Sequence, residues 1–395
     1  MSEAVNDAQI SDPQAPATQC FDVAIAGAGI IGLSLALELR QRGHSVVVLE
    51  QGHAMRGASW AAGGMLAAMD PENPLALQTL SLHSIALYPE YLANIQQLSG
   101  ERVPLRTRRT LQQISAEENF MGKLATFPAA TFSEIRQLIP GIATSIESTP
   151  EQKFFWLEED SLDPRDLCRA LPKAAQAAGV TILEQTTVLG VHHTGDSVII
   201  STNHDDLRAR MFVNCCGAWA AALYMDQTPI PPLPIAPAKG QMVTVALPAE
   251  RLRCVLRIPG LYLIPRGDGR VTIGATIENV GFDNSVQQKS IQGLIDTAAT
   301  LVPELQQAAQ LDSWAGFRPA TPDGLPILGP AAPLLNPAQI PRCWLATGHF
   351  RNGIMLAPVT ARCMAQAMLG ERTDVPLDSF AASRFAAAEA HFTPS

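Results

Sequence analysis

Residues 21–50 read FDVAIAGAGIIGLSLALELRQRGHSVVVLE, in which two β-branched runs flank a glycine-rich turn and an apolar segment of helical spacing. The run at 21–26 predicts a strand, and the turn at 27–32 has the spacing G-x-G-x-x-G. The apolar spacing over 30–42 predicts a helix, and 45–50 predicts a second strand that ends in an acidic residue. This order of strand, turn, helix, strand and acid is typical of a dinucleotide-binding unit.

The three glycines and the acidic residue of that unit each have a separate physical role. Gly27 permits the tight turn, Gly29 lets a pyrophosphate approach backbone N–H groups, and Gly32 lets the helix and strand pack closely. The helix N-terminus adds partial positive charge toward the phosphates. Glu50 is placed to accept hydrogen bonds from ribose hydroxyls, which argues against a 2′-phosphate and hence against NADP. The unit alone leaves NAD and FAD as alternatives.

The composition excludes several other classes of protein. The chain of 395 residues is 47% hydrophobic and 16% charged, which excludes disorder over most of its length. Its net charge of −9 offers no electrostatic footprint for nucleic acid. Seven scattered cysteines without a C-x-x-C pair favour neither a disulfide framework nor a zinc site, so no metal is expected. The adjacent Cys215 and Cys216 are interpreted as small buried residues, with a strained redox pair as the alternative.

The N-terminal residues predict no targeting segment. Residues 1–19 are polar and acidic and lack an apolar core, so we expect a disordered tail and no signal peptide. The apolar run at 23–37 contains three glycines and is too short to span a membrane. Together with the cysteine usage, these features predict a cytoplasmic protein.

Beyond residue 50 the patterns alternate between helix and strand. A small-residue segment at 56–67, RGASWAAGGMLA, lets backbone approach a large flat ligand. A proline-rich stretch at 229–237 predicts a crossing between domains. The predicted helices are 75–98, 163–178, 286–301 and 354–369, and the predicted strands are 154–157, 180–184, 187–193, 197–202, 209–215, 241–245, 261–265, 270–276 and 343–347.

Two later blocks are GFRPATPDGLPILG at 316–329 and GHFRNG at 348–353, and the second is much more specific than the G-x-G-x-x-G turn. With the turn at 27–32 and the segment at 56–67, they resemble the D-amino-acid-oxidase-like FAD oxidoreductases, and within them the glycine oxidase branch that serves thiamine biosynthesis. The resemblance covers residues 21–369. It implies an α/β FAD-binding domain, Rossmann-like and of glutathione-reductase type, interleaved with an α+β substrate domain built on an antiparallel sheet.

The expected division of the chain is discontinuous. The FAD domain is expected from 20–90, 155–235 and 310–380, and the substrate domain from 91–154 and 236–309, with a C-terminal tail at 381–395.

The resemblance also implies a set of residues that bind FAD without a covalent bond. No cysteine lies in a matching motif for covalent attachment, which argues against the sarcosine-oxidase branch. The implied contacts are Gly27, Gly29, Ile30, Ile31, Gly32, Glu50, Gln51, Ala58, Ser59, Gly63, Gly64, Met65, Val188, Gly217, His349, Phe350, Arg351, Asn352, Gly353, Ile354 and Met355.

Three residues match positions that meet the substrate: Arg318, Arg351 and Tyr262. A planar guanidinium can hold a carboxylate in a fixed pose, which favours Arg318 as the carboxylate ligand over a structural role. Arg351 is either a second carboxylate ligand or a scaffold of the flavin loop. Tyr262 points its hydroxyl at the carboxylate or fills the core. His349 is interpreted as a loop-shaping residue rather than a base.

The reaction implied is oxidative deamination of glycine or a small amino acid such as sarcosine, D-alanine or D-proline. Hydride passes from Cα to flavin N5, and the imine yields the keto acid and ammonia or enters thiazole assembly, while oxygen is reduced to hydrogen peroxide. Gly260 and Ile277 stand where related glycine oxidases are expected to carry a His and a Met, so a substrate larger than glycine is an alternative. The expected partners are the amino acid, oxygen, a thiazole synthase and a second copy of the chain, without nucleic acid or membrane.

Two competing interpretations stay open. One is an FAD-dependent D-amino-acid dehydrogenase that passes electrons to a quinone or another carrier. The other is a non-catalytic FAD-binding or tRNA-modification partner, supported only by the basic cluster Arg102, Arg106, Arg108 and Arg109, which a solvated face explains better.

Overall fold

The computed structural model describes residues 20–115, 127–146, 152–223, 233–331 and 341–385. The strands of these residues are β1 Cys20–Ala26, β2 Val46–Leu49, β3 Leu105–Thr107, β4 Thr110–Ser115, β5 Gln152–Leu157, β6 Ser161–Leu162, β7 Thr181–Leu183, β8 Val188–Thr194, β9 Ser197–Thr202, β10 Leu207–Asn214, β11 Ala236–Ala246, β12 Val255–Ile258, β13 Leu261–Pro265, β14 Arg270–Gly274, β15 Gln310–Ala320, β16 Ile327–Pro330 and β17 Cys343–Thr347. The α-helices are α1 Ile30–Gln41, α2 Ala58–Ala61, α3 Gln78–Ser99, α4 Phe132–Leu138, α5 Pro164–Ala177, α6 Gln288–Leu301 and α7 Gly353–Met368.

The first sheet has the order β16-β17-β10-β1-β2-β7, with the hairpin β8-β9 attached beside β10. Strands β17, β10, β1, β2 and β7 run parallel, while β16 and β9 pair antiparallel. Alternate residues of β1 and β2 face opposite sides of the sheet. Val23 and Val46 pack with the core of helices α1, α3, α5 and α7, whereas Ala24 and Val47 pack with a second cluster on the other side. The sheet is therefore covered on both faces, as a parallel sheet requires.

Helix α5 begins as its sequence predicts. Asp163 caps the helix by accepting a hydrogen bond from the backbone N–H of Arg165 at 3.0 Å, and Pro164 occupies the first helical position. Proline fits there because its missing N–H has no partner within a helix in any case. The predicted helix at 75–98 is also confirmed, as a short 3-10 turn Leu75–Leu77 followed by α3.

The second sheet has the order β15-β11-β14-β13-β12-β4-β5. All its pairings are antiparallel except β12 with β4, which run parallel. One face carries Leu256, Leu263 and Ile273 and packs on α4 and α6. The opposite face looks toward the first sheet, so two layers enclose the space between them.

The sheets divide the chain differently from the expected boundaries. Strand Gln310–Ala320 pairs along its length with Ala236–Ala246, so it belongs to the second sheet and not to the first domain. The expected boundary at 90/91 falls inside α3, and residues 155–157 lie in β5 of the second sheet. The strand was missed because its central residues, Ala315 and Gly316, are small where the backbone passes close to Ala61.

The C-terminal segment differs from the expected tail in one respect. The expected tail from 381 begins with a 3-10 turn, Ala382–Phe385, in which Arg384 pairs with Asp323 at 2.7 Å. The expected tail at 1–19, residues 386–395 and the first part of the proline-rich stretch lie outside the described residues. No helix in the described ranges is long and apolar enough to cross a membrane.

We expect Gly32→Ala to lower the free energy of unfolding by about 1–3 kcal/mol, the range for a close-packed site that must accept an extra methyl group. A Cβ built on Gly32 lies 2.0 Å from the carbonyl oxygen of Gly27, and both groups are backbone that cannot move independently. Gly293→Ala is the matched control, because that helical glycine is exposed and its Cβ meets nothing within 4 Å. The control should raise stability by up to about 1 kcal/mol. Urea unfolding measures both, and equal effects would contradict the packing argument.

Candidate functional site

A cavity of about 910 Å³ lies between the carboxyl ends of the first sheet and the inner face of the second sheet. Ligand sites in proteins span roughly 300–1,000 Å³, so this volume suits a large ligand together with a small one. Its wall includes the glycine turn, the segment at 56–65, and the loop at 348–354.

The glycine turn meets the sheet through its backbone. A Cβ on Gly27 would lie 2.5 Å from the carbonyl oxygen of Cys215, at the end of β10. A Cβ on Gly29 would meet only the Ser59 hydroxyl, at 3.4 Å, so this glycine leaves space toward the cavity. The Ser59 hydroxyl accepts a hydrogen bond from the N–H of Ile30 at 2.9 Å, at the first residue of α1. The free N–H groups of that first turn form an anion-binding wall.

Glu50 is held at the end of β2 by two backbone groups. Its carboxylate accepts hydrogen bonds from the N–H of Ala28 and the N–H of Gly52, each at 2.9 Å. Both carboxylate oxygens keep further acceptor capacity, and the residue lines the cavity. This arrangement suits the hydroxyl groups of a ribose.

One row of side chains crosses the inner face of the second sheet, because residues opposite each other in paired strands point to the same side. The row is Gln112, Arg257, Tyr262, Gly274, Met242 and Trp314. The Tyr262 ring occupies the volume that a side chain at Gly274 would need, since a Cβ there would lie 2.6 Å from the ring. Its hydroxyl donates to the Met242 thioether at 3.7 Å.

Arg318 reaches the cavity from β15. Its guanidinium lies over Gly240, where a Cβ would come within 2.3 Å of Nη1. Nη1 donates to the carbonyl oxygen of Thr276 at 3.1 Å. No carboxylate pairs with Arg318 among the residues that the structure describes, so its charge is available to an anionic ligand.

The carbonyl that orients Arg318 belongs to the segment after β14. The Thr276 hydroxyl accepts from the N–H of Gln241 at 2.9 Å and donates to Glu278. Lys239, 1% exposed, lies 3.6 Å from the Glu278 carboxylate and 3.5 Å from that of Asp283. These contacts bind the segment to β11 and fix the Thr276 carbonyl.

His349 belongs to the loop at 348–354, and its side chain is buried. Its Nε2 lies 3.1 Å from the Thr360 hydroxyl on α7, and burial lowers the pKa of its imidazole to about 3. The ring is therefore neutral near pH 7. The neighbouring Phe350 adopts a φ of 47° and donates its N–H to the Pro319 carbonyl at 3.0 Å.

Arg351 differs from Arg318 because its charge is already neutralised. It pairs with Glu72 and with Asp70, the latter at 3.5 Å, and it donates to Asn73 at 3.3 Å. Asn352 donates to the same Asn73 oxygen at 3.0 Å. The structure thus connects the loop to residues 70–73.

Almost all of the expected site residues line this cavity. The exceptions are Gly32, which packs against Gly27, and Met355, which lies in the core. The expected residues that line it are Gly27, Gly29, Ile30, Ile31, Glu50, Gln51, Ala58, Ser59, Gly63, Gly64, Met65, Val188, Gly217, Tyr262, Arg318, His349, Phe350, Arg351, Asn352, Gly353 and Ile354.

Sequence reasoning missed several parts of the wall, among them Arg257, the acidic pair Asp70 and Glu72, and Gly240. Arg257 lies in the strand-like run Val-Leu-Arg-Ile, and an arginine among apolar residues was the available signal.

The structure also describes the two adjacent cysteines, the basic cluster and the groups that could hold a metal ion. Cys215 and Cys216 are free thiols, and burial raises the pKa of both, that of Cys216 to about 12. In the basic cluster, Arg106 pairs with Asp166 at 2.7 Å and Arg109 with Glu158 at 2.9 Å. The described residues contain no group of three or more His, Cys, Asp or Glu placed to hold a metal ion.

Comparison with known proteins agrees with this geometry. The family model described as FAD dependent oxidoreductase (DAO) matches residues 22–367. This chain belongs to that family. The glycine oxidase of Geobacillus kaustophilus is 31% identical over 93% of this chain and 98% of its own length. The crystal structure of glycine oxidase from Geobacillus kaustophilus matches with a TM-score of 0.84 at 30% identity, covering 95% of this chain and all of that one.

A second kind of relative is longer. The bifunctional protein ThiO/ThiG of Trichormus variabilis is 34% identical over 92% of this chain. The chain spans only 55% of that protein's length.

The cofactor of the FAD-dependent oxidoreductases fits the residues present. A dinucleotide requires space and N–H donors for its pyrophosphate, an acceptor for ribose hydroxyls and a flat slot for its ring. Gly29 with the start of α1, Glu50, and the small residues around Gly63 supply these three in one cavity. FAD is therefore the cofactor that this family member takes.

We expect His349→Gln to flatten the dependence of stability on acid pH. His349 stays neutral in the folded protein, whereas in the unfolded chain it takes up a proton as pH falls below about 6.5. The free energy of unfolding therefore falls by about 1.4 kcal/mol per pH unit between about pH 6.5 and 3. Chemical denaturation of the holoprotein at a series of pH values between about 6 and 4 measures this slope. His204→Gln, at an exposed histidine, is the control. A parental slope in His349→Gln would contradict the neutral buried imidazole.

Proposed function

We propose that this protein oxidises glycine or a small amino acid to its imine, with FAD as cofactor and oxygen as electron acceptor. The single observation that carries the proposal is the guanidinium of Arg318 in the wall of a cavity that fits FAD, held by a carbonyl and paired with no carboxylate of the described residues. A small amino acid has one permanent handle, its carboxylate, and a planar guanidinium holds it in a fixed pose. The glycine oxidase relatives support the same choice of substrate.

We propose that FAD extends along the cavity from the first sheet to the second. The turn at 27–32 and the start of α1 face the pyrophosphate, Glu50 and Gln51 meet the ribose, and Val188 lies on the adenine side. The proposed contacts to the ring are Ala58, Ser59, Gly63, Gly64, Met65, Gly217 and the loop residues His349, Phe350, Arg351, Asn352, Gly353 and Ile354.

Tyr262 is the proposed second donor to the substrate carboxylate. In the structure its hydroxyl donates to a thioether, which is a weak acceptor. A carboxylate is a much stronger acceptor, so the hydroxyl exchanges its partner readily when substrate enters. The Tyr262 ring is held in place by Gly274 and by the strands on either side.

We assign Arg351 and His349 to the scaffold of the cofactor loop. Arg351 is satisfied by Glu72, Asp70 and Asn73 and has no charge to spare for a second carboxylate. His349 is neutral and bonded to Thr360, so it neither supplies nor removes a substrate proton. The substrate amine then enters in its neutral form, and the protein provides position rather than an enzymic base.

When bound, FAD would supply the redox chemistry: it would accept the hydride of the substrate Cα–H bond as the Cα–N bond becomes a C=N bond, and pass the two electrons to oxygen, which with protons gives hydrogen peroxide. The protein holds the carboxylate on Arg318, aims Cα at the ring and excludes water with the apolar wall. The imine hydrolyses to the keto acid and ammonia, or leaves for a further reaction. We propose that thiazole synthesis for thiamine consumes it and that a thiazole synthase is the partner, as the fused ThiO/ThiG relatives suggest for this chain.

The pocket also bears on substrate size. Gly260 has a φ of 74°, lines the cavity, and a Cβ built there meets nothing within 4 Å. Ile277 lines the cavity as well and is 69% exposed. We propose that this open end accepts a substituent on the substrate Cα or nitrogen.

We expect sarcosine, D-alanine and D-proline to bleach the flavin absorbance under anaerobic conditions at least as fast as glycine, because the space at Gly260 accepts their extra atoms. Readmitting oxygen should restore the absorbance and release one peroxide per flavin. A flavin that none of these amino acids bleaches refutes the proposed function. A bleached flavin that a quinone reoxidises and oxygen does not identifies the dehydrogenase alternative.

Arg318→Ala should raise the KM for the amino acid by about 10- to 100-fold, the range for losing a charge-assisted hydrogen-bonded pair. The flavin content of the purified protein should not change, because Arg318 serves the substrate and not the cofactor. Arg318→Lys keeps the charge without the planar fork, so its KM should lie between that of the parent and that of Arg318→Ala. Arg372→Ala, at an exposed arginine outside the cavity, is the matched control. An unchanged KM in Arg318→Ala refutes the carboxylate assignment.

A further inference from the structure

A buried arginine that the proposed reaction does not use lies in the row that carries Tyr262. Arg257 is 5% exposed and stands on β12 directly opposite Tyr262 on β13. Its guanidinium donates to Gln112 on the neighbouring strand β4. A charge buried to this degree requires partners, since an isolated one is expelled from an apolar interior.

The carboxylate partners of Arg257 come from outside the strands of its own sheet. Its Nη2 donates to the Glu159 carboxylate at 3.2 Å, and its Nη1 lies 3.4 Å from Oδ2 of Asp70. Asp70 and Glu159 are themselves buried, at 8% and 4% exposure. Glu159 also accepts from the N–H of Met69 at 3.2 Å, which ties it to the segment that carries Asp70.

Asp70 connects this cluster to the cofactor loop. The same oxygen, Oδ2, that lies 3.4 Å from Arg257 lies 3.5 Å from Nη2 of Arg351. Arg351 continues to Glu72 and Asn73, and Asn73 also holds Asn352. A continuous set of contacts therefore runs from the Tyr262 row to the loop at 348–354.

The charges of the set are close to balance. Two guanidinium groups face the carboxylates of Asp70, Glu72 and Glu159. Burial raises the pKa of Glu159, Arg257 opposes that rise and Asp70 adds to it. With Asp70 shared between both guanidinium groups, removal of one cation leaves the other to hold that carboxylate alone, so the two arginines are energetically linked.

We propose that Arg257 is a positioning residue which, through Asp70, sets Arg351 and the loop at 348–354 against the inner face of the second sheet. The inference rests on the cofactor placement proposed above. Arg257 and Arg351 both contact the buried Asp70 carboxylate. The distance between the Tyr262 row and the loop at 348–354 therefore depends on Asp70.

The test is a double-mutant cycle on cofactor affinity. Apoprotein is prepared from the parent, Arg257→Met, Arg351→Met and the double variant, and each is titrated with FAD. We expect each single change to weaken FAD binding by about tenfold, and the double variant to lose clearly less than the product of the two, because both changes disrupt the same support. The flavin absorbance spectrum of Arg257→Met should shift toward that of Arg351→Met.

The controls separate positioning from general destabilisation. Arg109→Met removes an exposed arginine paired with Glu158 close to β4 and should leave FAD affinity unchanged. Arg257→Lys retains the charge and should recover part of the affinity. If Arg257→Met does not fold, the same cycle is run with Arg257→Lys and Arg351→Lys, whose smaller effects should show the same coupling.

Multiplicative losses in the cycle, or parental FAD affinity and spectrum in the Arg257 variants, overturn the proposal. Coupling in FAD affinity combined with a flavin that no amino acid bleaches would retain Arg257 as a positioning residue and reject the proposed substrate. These outcomes distinguish failure of the positioning role of Arg257 from failure of the proposed function.

Discussion

Backbone meets backbone where the glycine turn crosses the ends of the first sheet, and no volume remains there for side chains. Gly27 faces the Cys215 carbonyl and Gly32 faces the Gly27 carbonyl, at distances that a methyl group would violate. Because the turn is fixed in this way, the first turn of α1 and the Glu50 carboxylate reach the same cavity.

The first unit could be predicted because all of its signals lie within thirty consecutive residues, 21–50. Strand, turn, helix and acid are local properties, and the structure places them as expected. The second sheet is different. Strands β12 and β15 were missed because Arg257 and Gly316, which line the cavity, interrupt the apolar runs from which a strand is predicted. In β4 the two adjacent buried glutamines, Gln112 and Gln113, have the same effect.

The site shows the same limit more sharply. Arg318 and Arg351 both stand in glycine-containing motifs, and the sequence alone left open whether Arg351 binds substrate or supports the loop. What separates them is the partner. Arg351 meets Glu72 and Asp70 from a segment nearly three hundred residues earlier, and no local pattern announces that pairing. The residue types at the site could therefore be predicted, but the charge state of their surroundings required the three-dimensional contacts.

That pairing bears on the proposed binding place of an anionic substrate. Arg257 and Arg351 both line the cavity, and each is neutralised by two carboxylates. Arg318 is held instead by a neutral carbonyl, which orients the guanidinium without cancelling its charge. An uncompensated charge attracts an anion more strongly than a paired one does. The carboxylates that neutralise Arg257 and Arg351 thus favour Arg318 over these two arginines as the proposed ligand of the substrate carboxylate, so the acidic residues contribute to the proposed specificity together with the arginine.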